Sequence, residues 1–343
     1  MRLLILGGSW FLGRTLANDA PVQTWQVTVF TRGRSGSPPE SVMHVIGDRT
    51  READLARLAE AGPWDATVDT SAYEPGDVTA VLAALGPAAG RYVLLSTVSA
   101  YRDWPAKPVS EDSPLWPSRL DARETDPDIA AMSLPFQYGT LKAGCELAAE
   151  TADGGALILR PGVILGPGEY VGRMLTLLGR ASRGGRWLLP GPATQPIQPV
   201  DVRDVATFIL EQVARDGTGA YNLTAPDGYA TYGDLISACI EVTGADAEPE
   251  WVDPGWLSEQ DVMQWTEVPL WRTAAGAWAV DSRKAQAAGF TCRPLSEMVA
   301  DTWAALQVAQ PVAHPRQAEH GMDPAKEAQL LADWDRQQAS RSR

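Results

Sequence analysis

A tyrosine and a lysine near the middle of the chain have the spacing of a proton-transfer pair. Tyr138 and Lys142 lie four residues apart in a segment predicted to be helical, so both side chains occupy one helix face. A free phenol is a poor base at neutral pH, and an ammonium beside it favours the phenolate. Surface pairs without a catalytic role have the same spacing, so the assignment depends on the surroundings.

A strand about forty residues upstream supplies that support. The apolar run 91–96 is followed by Thr97. In a doubly wound sheet, ligands bind beyond the carboxyl ends of the strands, so Thr97 is predicted to hydrogen-bond a substrate oxygen. The predicted catalytic residues are therefore Thr97, Tyr138 and Lys142, with Tyr138 exchanging a proton with that oxygen and Lys142 also holding the nicotinamide ribose.

The beginning of the chain predicts a dinucleotide turn. The apolar run 2–6 leads into a glycine-rich segment that continues as a helix, whose N-terminus then faces a pyrophosphate. Trp10 replaces the middle glycine of the usual pattern, so its side chain must point away from the phosphates. A glycine-rich turn without a ligand is the alternative. The predicted cofactor residues here are Gly7, Gly8, Ser9, Trp10, Phe11, Leu12 and Gly13.

The end of the second predicted strand favours NADP, with NAD possible. An NAD site usually has an acidic residue there, whereas this chain has Thr31, Arg32 and Arg34. Arginines suit a 2′-phosphate, although they are also common as solvated loop charges. Asp48 follows the third strand, where it either accepts from an adenine amino group or caps a helix. The remaining predicted cofactor residues are Thr70, Ser71, Lys142 and Pro161.

Strands that alternate with helices predict a Rossmann-type, doubly wound α/β fold. The predicted strands are apolar runs at residues 2–6, 26–31, 43–46, 66–69, 91–96, 156–159 and 221–224. The predicted helices are residues 77–85, 134–151, 199–213 and 324–338, and 104–128 is a long loop. We predict a dinucleotide-binding domain at 1–165, with return segments near 199–224 and 279–305. A smaller, discontinuous substrate domain then comprises 166–198, 225–278 and 306–343.

The composition disfavours several classes of partner. The 343 residues carry a formal net charge of −14, and an acidic surface repels nucleic-acid backbones. No apolar run approaches the roughly 20 residues that span a bilayer, and the N-terminal segment lacks a signal-peptide cleavage site. We therefore predict a cytoplasmic protein without membrane or nucleic-acid partners. The three cysteines are predicted to be free, buried thiols, and the three histidines form no zinc pattern.

The order of these segments resembles the extended short-chain dehydrogenase/reductase family, which includes the NAD-dependent epimerases and dehydratases. The resemblance covers roughly residues 1–305 and includes LRPGVILGPG at 159–168, VDVRDVA at 200–206 and YNL at 221–223. It implies a Ser/Thr–Tyr–Lys triad that maps to Thr97, Tyr138 and Lys142. It also implies a homodimer formed through a helix bundle that includes the Tyr–Lys helix.

Three positions depart from the nucleotide-sugar enzymes of that family. Their usual asparagine is Val163 here, their usual arginine before residue 200 is Gln195, and the acid of the dehydratases is Ser99. These departures disfavour dehydration and weaken the case for a nucleotide diphosphate. Ser99, Val163 and Gln195 are the predicted substrate contacts. Alternative partners for an anion are Arg173, Arg180 and Arg186.

Tryptophans are concentrated in the second half of the chain. They either line an aromatic, largely apolar substrate pocket or form the core of a small domain. The residues concerned are Trp187, Trp251, Trp256, Trp265, Trp271 and Trp278.

The sequence thus predicts an NADP-dependent oxidoreductase that transfers hydride to or from a carbonyl or alcohol of a small, non-nucleotide substrate. Two alternatives stay open. One is an epimerase or isomerase that recycles bound NAD(P), including one that acts on a nucleotide sugar. The other is a catalytically silent scaffold that has kept the cofactor-binding fold.

Overall fold

The computed structural model describes residues 1–34, 36–309 and 312–341, without the side chains of Pro21 and Val22. The strands of this part of the chain are β1 Arg2–Leu6, β2 Gln26–Thr31, β3 Met43–Ile46, β4 Ala66–Asp69, β5 Arg91–Leu95, β6 Ala156–Pro161, β7 Ile164–Leu165, β8 Gly185–Pro190, β9 Pro196–Ile197, β10 Val200–Asp201, β11 Gly219–Leu223, β12 Ala230–Thr231 and β13 Ala247–Val252.

The helices alternate with these strands in the first half of the chain. They are α1 Phe11–Asp19, α2 Glu52–Ala61, α3 Pro75–Leu85, α4 Pro127–Ala130, α5 Leu134–Ala149, α6 Arg173–Ser182, α7 Val202–Ala214, α8 Tyr232–Thr243, α9 Pro254–Glu259, α10 Arg283–Ala287, α11 Leu295–Val308 and α12 Pro324–Arg341. Short 3₁₀ helices occur at Ala20–Gln23, Gly86–Ala89, Val98–Ala100 and Pro315–Glu319.

Seven strands form one parallel sheet in the order β11-β6-β5-β4-β1-β2-β3. Consecutive residues of β1 pair with β2 on one side and with β4 on the other, from Leu3 opposite Val27 and Ala66 to Leu6 opposite Phe30 and Asp69. The strand order reverses at β1, and a ligand crevice opens beyond the carboxyl ends of the strands at such a point. The predicted Rossmann-type fold is confirmed.

The strands are apolar because both faces of the sheet are covered. Leu4, Leu6 and Leu94 are completely buried in a cluster with side chains of α2, α3 and α5. Burying one such leucine stabilises the fold by roughly 1.5–3 kcal/mol. The sheet is therefore a rigid support for the loops that follow its strands.

Most predicted element boundaries are close to the observed ones, and the differences have local causes. Helix α3 starts at Pro75 rather than residue 77, because Glu74 and Asp77 form a capping box and proline suits the first turn. Strand β6 extends to Pro161 rather than residue 159, because Arg160 and Pro161 pair with β11. Helix α7 starts at Val202, because Asp201 caps it from β10. Helix α12 ends at Arg341, three residues beyond the predicted end at residue 338, and the remaining differences are at most two residues at an end.

The chain forms two compact units. The first unit comprises Met1–Ile164, Pro199–Pro226 and Ala275–Cys292, and the second comprises Leu165–Gln198, Asp227–Ala274 and Arg293–Arg343. The first unit holds the seven-stranded sheet. In the second, β8 pairs in parallel with β13, and α8 packs against α6 and α11.

No helix within residues 1–34, 36–309 and 312–341 has the length and hydrophobicity needed to cross a bilayer. The three cysteines are unpaired; Cys145 and Cys239 are buried, whereas Cys292 is partly exposed.

Candidate functional site

The glycine turn after β1 fits tightly between two strand ends. Gly7 has φ +94°, and a Cβ there would lie 2.8 Å from the side chains of Thr70 and Ser71, which follow β4. Gly13 lies in α1, where a Cβ would collide with the carbonyl oxygen of Gly7. The turn therefore requires these glycines so that the helix can approach the strand, as the dinucleotide prediction demands.

The bulky residues of the turn sit at the start of α1. Trp10 is the N-cap residue, with an extended backbone and a partly buried side chain. Phe11 has φ +38°, a left-handed conformation that costs a non-glycine residue roughly 1–3 kcal/mol. Ser9 and Leu12 are buried. The first turn of a helix presents free N–H groups, so this end of α1 suits a phosphate group.

A buried ionic network supports the loop after β4. Arg49 donates to both carboxylate oxygens of Asp69 at 2.8 and 2.9 Å, and Tyr92 donates to Asp69 at 2.6 Å. Burial opposes the charge on Asp69, but the Arg49 guanidinium and these hydrogen bonds outweigh it and hold the pKa of Asp69 below its usual value. Arg49 also donates to the Ser71 hydroxyl at 2.9 Å, so the network fixes a side chain that touches Gly7.

Arg49 was not among the residues predicted from the sequence. Asp69 could have indicated it, because this acid lies in an apolar strand that is buried on both faces, and a fully buried carboxylate needs a partner. Thr70 is fixed as well: its hydroxyl is 3.0 Å from the carbonyl oxygen of Leu6 and 3.1 Å from that of Gly7.

The predicted 2′-phosphate residues lie at the end of β2. Arg32 and Arg34 are exposed, and the Thr31 hydroxyl is 2.8 Å from Nε2 of His44. Hydrogen bonds from the N–H and the hydroxyl of Thr50, at 3.0 and 2.8 Å, lower the pKa of Asp48, and the charges of Arg32 and Arg34 lower it further. Both arginines are thus close to Asp48, whose Oδ1 caps the turn that leads into α2.

Lys142 is buried and its ammonium is held by main-chain carbonyls. Nζ donates to the oxygen of Ala72 at 3.0 Å and to that of Leu95 at 2.5 Å. An ammonium has three N–H donors, so one remains for a ligand. Tyr138 lies one turn earlier on α5, with 37% of its surface exposed and its ring 6.5 Å from that of Tyr73. The lysine is fixed, and the phenol is accessible.

Helix α5 also meets the segment that contains Thr97. At Gly139 the helix is so close that a Cβ would collide with the carbonyl oxygen of Ser99. The Thr97 hydroxyl accepts from the N–H of Ser99 at 3.1 Å and caps the following 3₁₀ turn. Thr97, Ser99 and Lys142 therefore lie at the carboxyl end of β5, and Tyr138 precedes Gly139 on the helix that packs there.

A second buried network anchors this arrangement. Arg160 donates to both oxygens of Glu146, with contacts of 2.6 to 3.1 Å, and Ser96 donates to the same carboxylate. Arg160 also donates to the Tyr101 hydroxyl at 2.9 Å, and Tyr101 donates to Asn222 at 2.7 Å. Glu146 lies one turn after Lys142, so the network ties α5 to β5, β6 and β11.

The other predicted substrate and cofactor residues are more scattered. Pro161 is the last residue of β6 and is buried, and Val163 is almost completely buried. Gln195 lies in the second unit, where its carbonyl accepts from the N–H of Tyr232 at 2.8 Å.

Some of the tryptophans form the core of the second unit, and one of these also lines a cavity. Trp187, Trp256 and Trp271 are buried in the core of the second unit, and Trp251 and Trp265 are partly buried there. Trp278 belongs to the first unit, although the predicted substrate domain extended to residue 278. Trp187 also lines a cavity of about 440 Å³ in the second unit, together with Tyr232, Leu189 and Val268.

Comparisons with known proteins add to this geometry. No family model matches the chain. Chloroplast stem-loop binding protein of 41 kDa b from Arabidopsis thaliana is 24% identical over 265 residues. That match covers 73% of this chain and 65% of the relative, less than two thirds of its length.

Solved structures match over nearly the whole chain. WbmG from Bordetella bronchiseptica, in complex with NAD and UDP, has a TM-score of 0.67, 18% identity and coverage of 90% of this chain and 95% of its own. UDP-glucose 4-epimerase from Thermotoga maritima, with UDP-glucose, has a TM-score of 0.66 and 18% identity, and the match covers 90% of this chain and 99% of the epimerase. A dTDP-4-dehydrorhamnose reductase from Clostridium acetobutylicum has a TM-score of 0.62 and 16% identity, and the match covers 90% of this chain and 100% of the reductase.

These similarities define the class of fold. The resemblance to the extended short-chain dehydrogenase/reductase family is confirmed at the level of the fold, since WbmG, a UDP-glucose 4-epimerase and a reductase each align with about nine tenths of the chain. The similar structures that carry the name of an activity are enzymes.

Proposed function

We propose that this chain is an NADP-dependent oxidoreductase that interconverts a carbonyl and an alcohol on a small substrate. The observation that carries this proposal is the fixed, buried ammonium of Lys142 one helical turn from an accessible Tyr138, at the strand end that presents Thr97. A structural tyrosine–lysine pair would not require a lysine held by two main-chain carbonyls in the interior.

The residues present fit a dinucleotide. The side-chain-free turn at Gly7 and Gly13 and the start of α1 would receive the pyrophosphate, and the third donor of Lys142 would hold the nicotinamide ribose. When bound, the cofactor supplies a hydride donor or acceptor at C4 of its ring.

The side chains of the chain itself then handle the proton. In the reducing direction the Tyr138 hydroxyl donates its proton to the substrate oxygen, and in the oxidising direction the phenolate takes a proton from the substrate hydroxyl. Thr97 accepts from Ser99, so its own hydroxyl hydrogen is available to orient the substrate oxygen. Lys142 stabilises the phenolate by its charge.

The choice of NADP over NAD rests on Arg32 and Arg34. Both are exposed beside Asp48 at the end of β2, where a guanidinium can pair with a 2′-phosphate. WbmG is described with NAD, so the preference needs a direct test. Calorimetric titration should show NADPH binding at least tenfold more tightly than NADH, and Arg32→Met with Arg34→Met should remove the difference. Equal affinities in the unmodified protein would contradict the NADP assignment.

The mechanism is tested by Tyr138→Phe. Consumption of NADPH is first screened with a panel of aldehydes and ketones, and the variant is then assayed with the best substrate. We expect turnover to fall by about 10²–10⁴-fold with NADPH affinity retained, because only the proton donor is lost. Tyr170→Phe, in the second unit, is the matched control. Undiminished turnover of Tyr138→Phe would refute the proposal.

An epimerase or isomerase with recycled cofactor is the second candidate, because two of the similar structures are a UDP-glucose 4-epimerase and a protein bound to NAD and UDP. Thr97, Tyr138 and Lys142 would transfer and orient protons in the same way in that reaction. Mass spectrometry of the purified protein distinguishes the two: a stoichiometric bound nicotinamide cofactor, with no net consumption of added NADPH, favours the epimerase.

A scaffold without catalysis is the third candidate, favoured by the name of the Arabidopsis relative, a stem-loop binding protein. The net charge of −14 opposes a nucleic-acid partner. A gel-shift assay with a stem-loop RNA at 100 mM salt should therefore show no complex. We also propose that the protein is a homodimer and is located in the cytoplasm. Analytical ultracentrifugation tests the oligomeric state.

A further inference from the structure

A buried ion pair joins two separate parts of the seven-stranded sheet. Arg49 follows β3, the edge strand, whereas Asp69 is the last residue of β4, and both β2 and β1 lie between those two strands. The side chains are 11% and 0% exposed, and the guanidinium donates to the two carboxylate oxygens at 2.8 and 2.9 Å. The pair therefore fixes the end of β4 from the far side of β1, where the strand order reverses.

The same guanidinium also holds the turn that follows β4. Its Nη2 donates to the Ser71 hydroxyl at 2.9 Å, and the N–H of Ser71 donates to Oδ1 of Asp69 at 3.0 Å. Tyr92 donates to Oδ2 of that carboxylate at 2.6 Å. Since the N–H donors of a guanidinium form a rigid, planar fork, a single side chain sets the positions of both Asp69 and Ser71.

This turn, residues 69–72, touches two parts of the candidate site. The Ser71 hydroxyl is 2.8 Å from the position that a Cβ on Gly7 would occupy, so it lies against the glycine turn. The carbonyl oxygen of the next residue, Ala72, accepts from Nζ of Lys142 at 3.0 Å. A displacement of the turn would therefore move both the support of the glycine turn and one of the two carbonyls that hold the ammonium.

We propose that Arg49 is a positioning residue for the oxidoreductase reaction and acts through Ser71 and Ala72. It holds the turn after β4 so that the dinucleotide and the ammonium of Lys142 keep a fixed separation. This inference rests on the function proposed above. A pair that only neutralised Asp69 would need no bond to Ser71, and that bond is the observation that distinguishes positioning from charge compensation.

The first test replaces the fork but keeps the charge. Arg49→Lys leaves an ammonium beside Asp69, but a lysine cannot bond both carboxylate oxygens and Ser71 with the same geometry. Calorimetric titration uses NADPH or NADH, whichever the unmodified protein binds more tightly. We expect the dissociation constant to rise about tenfold, because the glycine turn loses its support. Turnover with the best carbonyl substrate should fall about 10–100-fold, since a misplacement of about 1 Å has effects of that size.

The pH dependence gives a readout that a purely structural role would not change. In the oxidising direction turnover rises with pH as Tyr138 loses its proton, and the charge of Lys142 favours that loss. If Ala72 no longer holds the ammonium in place, that charge becomes less effective. The pH of half-maximal turnover should therefore rise by about half a unit or more in Arg49→Lys. Urea unfolding measures the stability of the same variant separately.

A double-variant cycle shows whether Arg49 acts through Ser71. Ser71→Ala removes the hydroxyl that links the guanidinium to the turn, and the Arg49–Asp69 pair stays intact. Adding Arg49→Lys to Ser71→Ala should then weaken cofactor binding by less than about twofold beyond Ser71→Ala alone. Fully additive losses would show that the two residues act independently and would overturn the proposal.

Two further variants control for misfolding and for the loss of an arginine as such. Arg49→Met with Asp69→Asn removes both buried charges, and the amide oxygen can still accept from Tyr92, so the protein should fold and show the same loss of affinity. Arg91→Lys is the matched control, because Arg91 lies at the amino end of β5 and pairs with Asp216 at 2.8 Å. It should change the dissociation constant less than about twofold, since a pair with an exposed carboxylate contributes little.

The outcomes distinguish this inference from the function on which it rests. If Arg49→Lys lowers only the urea midpoint and leaves cofactor affinity and the pH profile unchanged, the pair is structural and the inference is refuted. The oxidoreductase proposal would then still be supported by a loss of turnover in Tyr138→Phe. If the unmodified protein binds neither NADPH nor NADH, both proposals fail.

Discussion

Two pairs of buried arginines, one pair in each unit, have opposite surroundings. In the first unit Arg49 and Arg160 each face a buried carboxylate, and although burial opposes their charge, Asp69 and Glu146 raise the pKa of both guanidiniums above the ordinary value. In the second unit burial dominates, and the pKa values of Arg173 and Arg272 are lowered. A carboxylate thus decides the direction of the shift at Arg49 and Arg160, whereas burial decides it at Arg173 and Arg272.

This difference distinguishes arginines that stabilise the fold from an arginine whose hydrogen bonds are incomplete. The pairs around Arg49 and Arg160 have their hydrogen bonds completed within the fold, so they fix loops and add no capacity to bind a ligand. In contrast, Nε of Arg173 is buried and makes no hydrogen bond within the described residues. Substitution of an arginine that is paired with a buried carboxylate, such as Arg160 or Arg180, should therefore lower stability more than substitution of Arg173 does.

The largest effect is expected for Arg160→Met. It leaves Glu146 buried without its counter-charge, which typically destabilises a protein by about 3–5 kcal/mol. Urea unfolding followed by circular dichroism measures this loss. The double variant Arg160→Met with Glu146→Leu should recover part of it, since no buried charge remains. A single-variant loss below about 1 kcal/mol would show that the network is not a scaffold.

The two arginine environments also mark what sequence can and cannot reveal. Periodicity and apolar runs predicted the sheet, because strands buried on both faces must be apolar. The triad followed from local spacing on α5 and from the end of β5. The Arg160–Tyr101 and Tyr101–Asn222 hydrogen bonds join residues 59 and 121 positions apart, and the Arg173–Trp265 contact joins residues 92 positions apart. Such contacts are set by tertiary packing, so no local pattern indicates them.

Gly13→Ala should have the next largest effect. The added Cβ would collide with the carbonyl of Gly7, forcing α1 away from β1 and opening the glycine turn. We expect a loss of about 1–3 kcal/mol in stability and a marked loss of NADPH affinity. Gly76→Ala is the matched control, because a Cβ in that helix meets no atom within 4 Å, and it should stabilise the protein by about 0.4–1 kcal/mol. If both variants behaved alike, close helix–strand packing would not explain the need for Gly13.

Acid should weaken the second unit through His320. Its pKa is lowered to about 4 from 6.5, so between these values the unfolded chain binds more protons than the folded one. Stability is therefore expected to fall as the pH decreases from 6.5 to 4. Besides burial, the charges of Arg173 and Arg316 drive this shift, and Glu319 opposes it. Unfolding curves at pH 7.5, 6 and 5 measure the slope, and His320→Gln should reduce it. An unchanged slope in that variant would assign the pH dependence to other groups.

The smallest effect is expected for Arg173→Met in buffer without phosphate or carboxylate. The substitution removes a cation–π contact with Trp265, worth roughly 0.5–2 kcal/mol, and the charge 3.8 Å from the buried Glu169 carboxylate, whose hydrogen bonds from main-chain N–H groups remain. It also removes repulsion from Arg272 and the cost of a buried charge. These contributions oppose one another, so the net change in stability should stay within about 1 kcal/mol. Arg180→Met, which exposes Glu327 to the same loss as Arg160→Met imposes on Glu146, provides the contrast within one helix. Equal destabilisation by the two α6 variants would mean that Arg173 is a structural residue after all, because only an arginine with completed contacts has that much to lose.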